Sequence, residues 1–355
     1  MVRLKSMDLE ALKEYLAGLG LPPYRGEQIF RWMHRGVSSF EEMSDLPLSL
    51  REKLKGQCTL EVLQTETVQI SRRDGTRKYL FSLEDGQKIE SVLMRYRYGN
   101  TACISSQAGC RMGCAFCASK EGGLIRQLTE GEMLEQVLRM KRESGLEIQH
   151  VVVMGTGEPF DNYRNLVGFL RLLHNPLGLG MSYRSMTVST CGLIPGIDAF
   201  AGDMPQATLA VSLHAPQEML RSRLMPINRK YPLKELMEAC RRYTQRTNKR
   251  ITFEYVLIEG VNDSGRMAES LVLLLKGMLC HVNLIPFNGI YRNAFRSASP
   301  EVCRRFLRIL SDNGIQATLR RELGRDIDGA CGQLRSRKSM PLEAGEGPEE
   351  GDKIK

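Results

Sequence analysis

The sequence predicts an α/β protein: a parallel sheet covered by helices, as an open doubly wound sheet or a full or partial barrel, preceded by a small helical domain and a β-meander. Three observations carry this. Strand and helix patterns alternate from about Thr101 onward, as in repeated βα units. Before that point, near Val68, a helical period gives way to short strands and turns. The polar and glycine-rich signatures fall where predicted strands end, and a parallel barrel gathers its active site at one end of its strands.

Taken in order, residues 8–19 place Leu9, Leu12, Leu16 and Leu19 on one helical face, and Ser39-Phe40-Glu41-Glu42 has the capping-box pattern that opens another short helix. Between them, residues 25–34 mix basic and aromatic side chains; burial of Phe30 and Trp32 is the expected use of the rings, nucleic-acid contact the alternative, and His34 is assigned to surface or packing. Asp74-Gly75 and Asp85-Gly86 then serve as turns around strands such as 78–83 and 88–94. Arg72, Arg73, Arg77, Lys78, Arg95 and Arg97, with Tyr79, Tyr96 and Tyr98, give this meander a basic, aromatic character that fits either RNA or the charges that keep edge strands apart.

A strand over 101–105 leads into the loop Cys110-Arg111-Met112-Gly113-Cys114-Ala115-Phe116-Cys117. Thr129-Glu130-Gly131-Glu132 caps a helix running to about Arg142, and a buried strand over 149–154 ends in Gly155-Thr156-Gly157-Glu158-Pro159. Further strands near 185–188, 207–213, 251–257 and 281–285 are separated by helices near 163–173, 233–242, 267–275 and 300–311. The expected organisation is a helical accessory region over 1–62, the meander over 63–100, the βα body over 101–322, a catalytic segment over 323–339 and an acidic, disordered tail over 340–355.

The chain has 355 residues and ten cysteines, far too few per residue for a disulfide scaffold, and Arg3, Lys5 and Asp8 interrupt the N-terminus before a signal core could form. The longest apolar patch, 271–275, is broken by Lys276 and is too short to span a membrane. These features predict a cytoplasmic, monomeric protein. Net charge is +9, but the first 60 residues carry nine Lys/Arg against eight Asp/Glu and 341–355 carries two against five, so the middle holds +11. Such a body suits a polyanion such as RNA, or is simply a solvated surface.

The spacing CxxxCxxC over Cys110, Cys114 and Cys117 puts three thiolates in one loop. That suits a cuboidal iron-sulfur cluster with one iron left open, whereas zinc would need Cys103 as a fourth ligand. With an aromatic before the last cysteine, the loop resembles the radical S-adenosylmethionine (SAM) superfamily. More closely, the chain resembles the RlmN family of RNA adenine-C2 methyltransferases. The matching motifs are Glu90-Ser91-Val92, Cys103-Ile104-Ser105-Ser106-Gln107, Gly157-Glu158-Pro159, Ser212-Leu213-His214-Ala215-Pro216, Val282-Asn283-Leu284-Ile285-Pro286 and the run from Asp326 to Leu334 around Cys331.

The resemblance implies a radical-SAM partial (β/α) barrel and a 4Fe-4S cluster held by Cys110, Cys114 and Cys117, with SAM on the open iron. It implies SAM contacts at Gly157, Glu158, Ser189, Ser212, Leu213, His214 and Asn288. Carbon 2 of adenine is electron-poor and will not attack the SAM methyl directly, so the family uses a radical route with two SAM per turnover. By that resemblance Cys331 carries the methyl group, Glu90 takes the C2 proton, and Cys103 frees the product through a transient disulfide with Cys331. The implied partners are 23S rRNA at the peptidyl-transferase centre, tRNA beside the anticodon, and an electron donor of flavodoxin or ferredoxin type. Thr156 stands where the family often has Met and Cys191 where it often has Ser; Cys58, Cys191, Cys240, Cys280 and Cys303 are assigned to packing. A C8-specific rRNA methyltransferase and a noncatalytic RNA-binding metalloprotein are the alternatives.

Overall fold

The computed structural model describes residues 1–288, 295–321, 323–324 and 326–327. The expectations for Cys331, for residues 328–339 of its segment and for the acidic tail lie outside them.

The N-terminal part pairs β1 (Val2–Arg3) in parallel with β2 (Cys58–Thr59) and packs α1 (Leu9–Gly18), α2 (Tyr24–His34) and α3 (Leu48–Gln57) between them in sequence. Asp8 caps α1 by accepting from Ala11 N (2.9 Å), and Leu12 and Leu16 are buried with Ile29, Phe30 and Met33 of α2. Burial of each such side chain contributes about 1.5–3 kcal/mol. Trp32 is only partly buried, with its Nε1 donating to Asp45 and the Arg35 guanidinium over its ring. The helix expected after Ser39 is a single 3-10 turn, Phe40–Glu42, and Ser39 makes no cap. Glu42 stands at the capping-box position and its carboxylate accepts from Ser38 N (2.8 Å) and from Ser39 N, but the Ser39 side chain returns no bond.

A ten-stranded sheet follows. β3 (Gln64–Ile70), β4 (Arg77–Ser82), β5 (Lys88–Tyr96) and β6 (Gly99–Ile104) are antiparallel, and β7 (Gln107–Gly109) and β8 (Leu124–Gln127) form a separate two-stranded pair. Asp74-Gly75 and Asp85-Gly86 make the expected turns, with both glycines at positive φ and each Asp side chain accepting from the backbone two residues on. Lys78 and Tyr79, expected on a basic surface, are fully buried, because β4 is an interior strand and β3 holds the edge.

From β6 the sheet turns parallel. α4 (Glu130–Ser144) leads to β9 (His150–Val153), α5 (Tyr163–His174) to β10 (Met186–Thr190), and α6 (Ile194–Asp203) to β11 (Thr208–Ser212). Next come α7 (Glu218–Leu224), α8 (Leu233–Thr247), β12 (Ile251–Leu257), α9 (Gly265–Leu275), β13 (Cys280–Pro286), α10 (Pro300–Asp312) and β14 (Ala317–Leu319). The order β14-β13-β12-β11-β10-β9-β6-β5-β4-β3 leaves both ends unpaired by strands. Yet Arg320, just past β14, reaches Met94 of β5 (Nη2 to Sδ 3.7 Å), so the sheet curls into a partial barrel. Gly324 N donates to Asp74 Oδ2 (2.9 Å), and Asp326 accepts from Ser71 Oγ (2.6 Å) and Arg72 N (2.8 Å). The chain leaving β14 thus crosses to the β3–β4 turn.

Thr129 caps α4 in a full capping box: its Oγ1 accepts from Glu132 N (3.1 Å) and Glu132 Oε2 accepts from Thr129 N (3.0 Å). The helix carries two fixings. Lys5, wholly buried, donates to Glu135 Oε2 (2.5 Å) and Val37 O (3.2 Å), joining the N-terminal part to the barrel. Gln136 accepts from Ser91 Oγ and Ser105 N (2.8 Å each) and donates to Ser105 O (2.9 Å), pinning β5 and β6 where they enter the site. No described helix is long and apolar enough to cross a membrane.

Candidate active site

A cavity of about 390 Å³ opens at the ends of the parallel strands. Its lining includes Cys110, Cys114, Cys117, Gly157, Glu158, Ser189, Ser212, His214, Asn288, Glu90 and Cys103, so one cavity gathers the described site residues with one exception. Leu213 is absent from the wall; its side chain is fully buried in the core, as alternation along a strand requires between Ser212 and His214.

The cysteine loop is slung between β7 and β8. Cys110 N donates to Gly123 O (2.9 Å), Cys117 N to Cys114 O (3.1 Å), and Ala115 N to Leu224 O at the end of α7 (2.8 Å). Burial pushes the Cys110 thiol up to about 11 and the Cys114 thiol higher still, and the Cys117 charge adds to both. Burial and mutual repulsion keep Cys110 and Cys114 protonated on their own, so holding them as thiolates requires a cationic group, which an iron-sulfur core would supply. The charged groups that act most on Cys103 are Arg320, Lys78 and Glu90, whereas those acting most on Cys110 and Cys114 include Cys117 and Glu158. All nine described cysteines are free thiols.

The turn after β9 forms the next wall. Ser105 Oγ donates to Glu90 O (2.7 Å) and accepts from Thr156 N (2.9 Å), linking the Glu90 strand to the turn through one hydroxyl. Gly157 has φ +113 and packs against Ser106 and Gln107, a place only glycine fits. Gln107 Oε1 accepts from Glu158 N (2.7 Å), and its Nε2 donates to Gln127 and Asp161. The Glu158 carboxylate accepts from Phe160 N (3.0 Å) and Cys191 N (2.7 Å). Burial raises its pKa against those bonds and against further ones from the Cys191 and Thr190 side chains.

His214 closes the far side at φ +56, with Asn262 Nδ2 bound to its carbonyl (2.8 Å) and its ring edge-on to Phe116 of the cysteine loop (centroids 4.7 Å apart). Its Nδ1 accepts from Val256 N (3.0 Å), so the proton resides on Nε2. Burial pushes its pKa down to about 3, and that of His34 in α2 down to about 4. Folding holds both rings neutral, so their stabilisation is full above pH 6.5 and is lost as pH falls through that value toward the folded pKa. Between pH 7 and 5, calorimetry should show the wild type losing about 2 kcal/mol more than His34→Gln; parallel losses would refute the buried neutral state.

At the other end of the cavity, Glu90 of β5 pairs with Lys78 of β4 (Oε2 to Nζ 3.1 Å), both almost wholly buried. Cys103 on β6 stands opposite Val92 and beside Val152. Burial raises its thiol pKa, and Arg320 and Lys78 pull it back. Tyr96, Glu254 and Arg320 line the same end.

Sequence reasoning missed Lys78, Gln107, Cys191, Arg221, Asn262 and Arg320. Gln107 closes the Cys103 motif and Cys191 follows Ser189 by two, which was the available signal. Lys78 reads only as one basic residue of the meander, and Arg221, Asn262 and Arg320 fall in stretches to which the sequence assigns no element.

Comparison with known proteins agrees with this geometry. Residues 104–271 match the Radical SAM superfamily, and residues 2–60 match the Ribosomal RNA large subunit methyltransferase N-terminal domain. The chain is 50% identical over 336 residues to the probable dual-specificity RNA methyltransferase RlmN of Thermoanaerobacter pseudethanolicus, covering 94% of this chain and 98% of that one. It is 48% identical over 348 residues to the protein of the same name from Lachnospira eligens, covering 98% and 99%. The crystal structure of a radical SAM methyltransferase from Sphaerobacter thermophilus superposes with a TM-score of 0.90 at 47% identity, over 94% of this chain and 99% of that one.

Proposed function

Because the chain belongs to the RlmN family of radical SAM methyltransferases, we propose that it methylates C2 of adenosine in RNA, with 23S rRNA and tRNA as its two substrates. The observation that carries this is a single cavity with a three-thiol loop at one end and Glu90 with Cys103 at the other.

Cys110, Cys114 and Cys117 would hold a 4Fe-4S cluster, which when bound with SAM supplies the one-electron chemistry that an electron-poor carbon demands. Gly157, Glu158, Ser189, Ser212, His214 and Asn288 are the SAM wall. Glu158 accepts there and His214 Nε2 donates, while Leu213 only holds its neighbours in register. Glu90, kept beside the Lys78 cation, takes the C2 proton. Cys331 carries the methyl group and Cys103 resolves its link to the base. Supporting this, Arg320, Arg321 and Leu323 line the cavity, so the segment leading toward Cys331 sets out from the site.

The adenine leaves its stack to enter the cavity, and the +11 middle of the chain provides phosphate affinity. An electron donor of flavodoxin or ferredoxin type and a reducing, cytoplasmic setting complete the reading, in which the disulfide between Cys103 and Cys331 is transient.

The test is product mapping. The anaerobically reconstituted protein is incubated with SAM and with 23S rRNA or tRNA, and the nucleosides are resolved by mass spectrometry. The expected product is 2-methyladenosine from both RNAs. 8-Methyladenosine as the sole product overturns the choice of carbon, and methylation of one RNA alone overturns dual use.

A further inference from the structure

Arg221, on α7, is the largest side chain that the fold buries completely. Nη1 donates to Asn228 Oδ1 (2.7 Å), and Nη2 donates to the carbonyl oxygens of Cys191 (2.8 Å) and Ser212 (3.2 Å). Nε has no partner. Among the described residues no carboxylate comes within ion-pair distance; Glu218 is reached only through Asn228, whose Nδ2 donates to Glu218 Oε1 (2.5 Å).

A buried cation costs several kcal/mol unless a counter-charge lies near. Neutral oxygens satisfy three of the N–H donors of Arg221 but leave its charge. The acidic groups that would act on it most strongly once ionised are the thiols of Cys191 and Cys114. Cys114 belongs to the three-thiol loop, and that loop is fastened to the same helix through Ala115 N and Leu224 O. Three thiolates around a doubly positive iron-sulfur core leave one negative charge, and one further electron makes two. A fixed cation stabilises the second state more than the first.

We propose that Arg221 is a positioning residue with two tasks: its uncompensated charge balances the cluster and makes the reduced state easier to reach, and its carbonyl bonds hold the Cys191 and Ser212 turns against SAM. This rests on Cys110, Cys114 and Cys117 being the cluster ligands; iron and sulfide content of the wild type tests that separately.

Arg221→Met, Arg221→Gln and Arg221→Lys are compared with the wild type, each without the cluster and after reconstitution. Redox titration followed by electron paramagnetic resonance, in the absence of SAM, should show a lower midpoint potential for both neutral variants and a near-native one for Lys. Lys, which cannot hold both carbonyls in one plane, should bind SAM about 10-fold more weakly. The rise in melting temperature on reconstitution should be smaller for Met than for the wild type, since the cluster no longer neutralises a buried charge. A native potential in the Met or Gln variant overturns the electrostatic task. Failure of the neutral variants to fold without the cluster also overturns it, because the apo fold would then need the cation. Native SAM affinity in Lys overturns the holding task.

Discussion

A Cys103→Ala enzyme is expected to carry the methyl carbon to the RNA base and then stay joined to it. In the proposed release step the Cys103 thiolate attacks the Cys331 sulfur, a sulfur–sulfur bond forms, and the bond from that sulfur to the transferred carbon breaks. Its electron pair remains on carbon, which takes a proton and ends as the methyl group; the two thiols are oxidised by the two electrons that carbon gains. Alanine offers no sulfur for that attack. Cys103 lines the same cavity as Glu90, between strands β5 and β9, and among the described cysteines outside the cluster loop it alone lies beside Glu90 and Lys78. Cys191 also reaches the cavity wall, but its thiol is buried and its charge interacts with Glu158, Cys114 and Arg221 at the cluster end. Burial raises the Cys103 pKa and the Arg320 and Lys78 cations only partly oppose that rise, so the thiol gives up its proton as it attacks. Denaturing electrophoresis with labelled RNA should therefore show a protein–RNA band in place of multiple turnover. Cys331→Ala, which lacks the carrier, should give no band. Free product at the wild-type rate from Cys103→Ala would refute the resolving role.

The backbone plan was legible because each level agreed. β12 runs Ile251–Leu257 as its apolar pattern implies, α4 begins at the capping box around Thr129, and the two Asp-Gly turns sit between the strands they separate. Ser39 shows where a local motif falls short: its turn is too brief to seat the cap, and tertiary packing of Phe40 decides the outcome. The site was legible where chemistry needs a particular side chain at a particular spacing, as in the cysteine loop. It was hidden where a residue acts through distant partners. Lys78 reads as one more surface cation until β5 covers it with Glu90, twelve residues on. Gln136 reads as one polar position of α4 until Ser91 and Ser105 are found on either side of it. Charge composition carries sign but not direction, so the buried Arg221 and the exposed Arg31 look alike in a sequence.

The second large effect is expected at Gly157, where one methyl group should separate cluster assembly from SAM binding. At φ +113 a residue with a side chain is strained by roughly 1–3 kcal/mol. A Cβ there would also lie 2.7 Å from Gln107 Cβ and 2.8 Å from Ser106 Oγ, and neither can yield freely. Ser106 N donates to Thr156 O (2.9 Å), and Gln107 is fixed at both ends of its amide by Glu158 N, Gln127 and Asp161. The turn must move instead, and with it Glu158, whose carboxylate joins the Cys191 backbone to this wall. The cysteine loop touches this network through Gln107 of β7 and through Asp161, which accepts from both Gln107 and Arg111, but its own backbone is held by Gly123 O and Leu224 O. Gly157→Ala should therefore load iron and sulfide as the wild type does, yet bind SAM about 10- to 100-fold more weakly, the strain converted at 1.4 kcal/mol per tenfold. Calorimetric titration of SAM into the reconstituted variant, with iron content measured on the same sample, reads both. Loss of iron together with SAM would mean that the turn and the cysteine loop form one unit, and native SAM affinity would mean that the glycine is not needed for close approach.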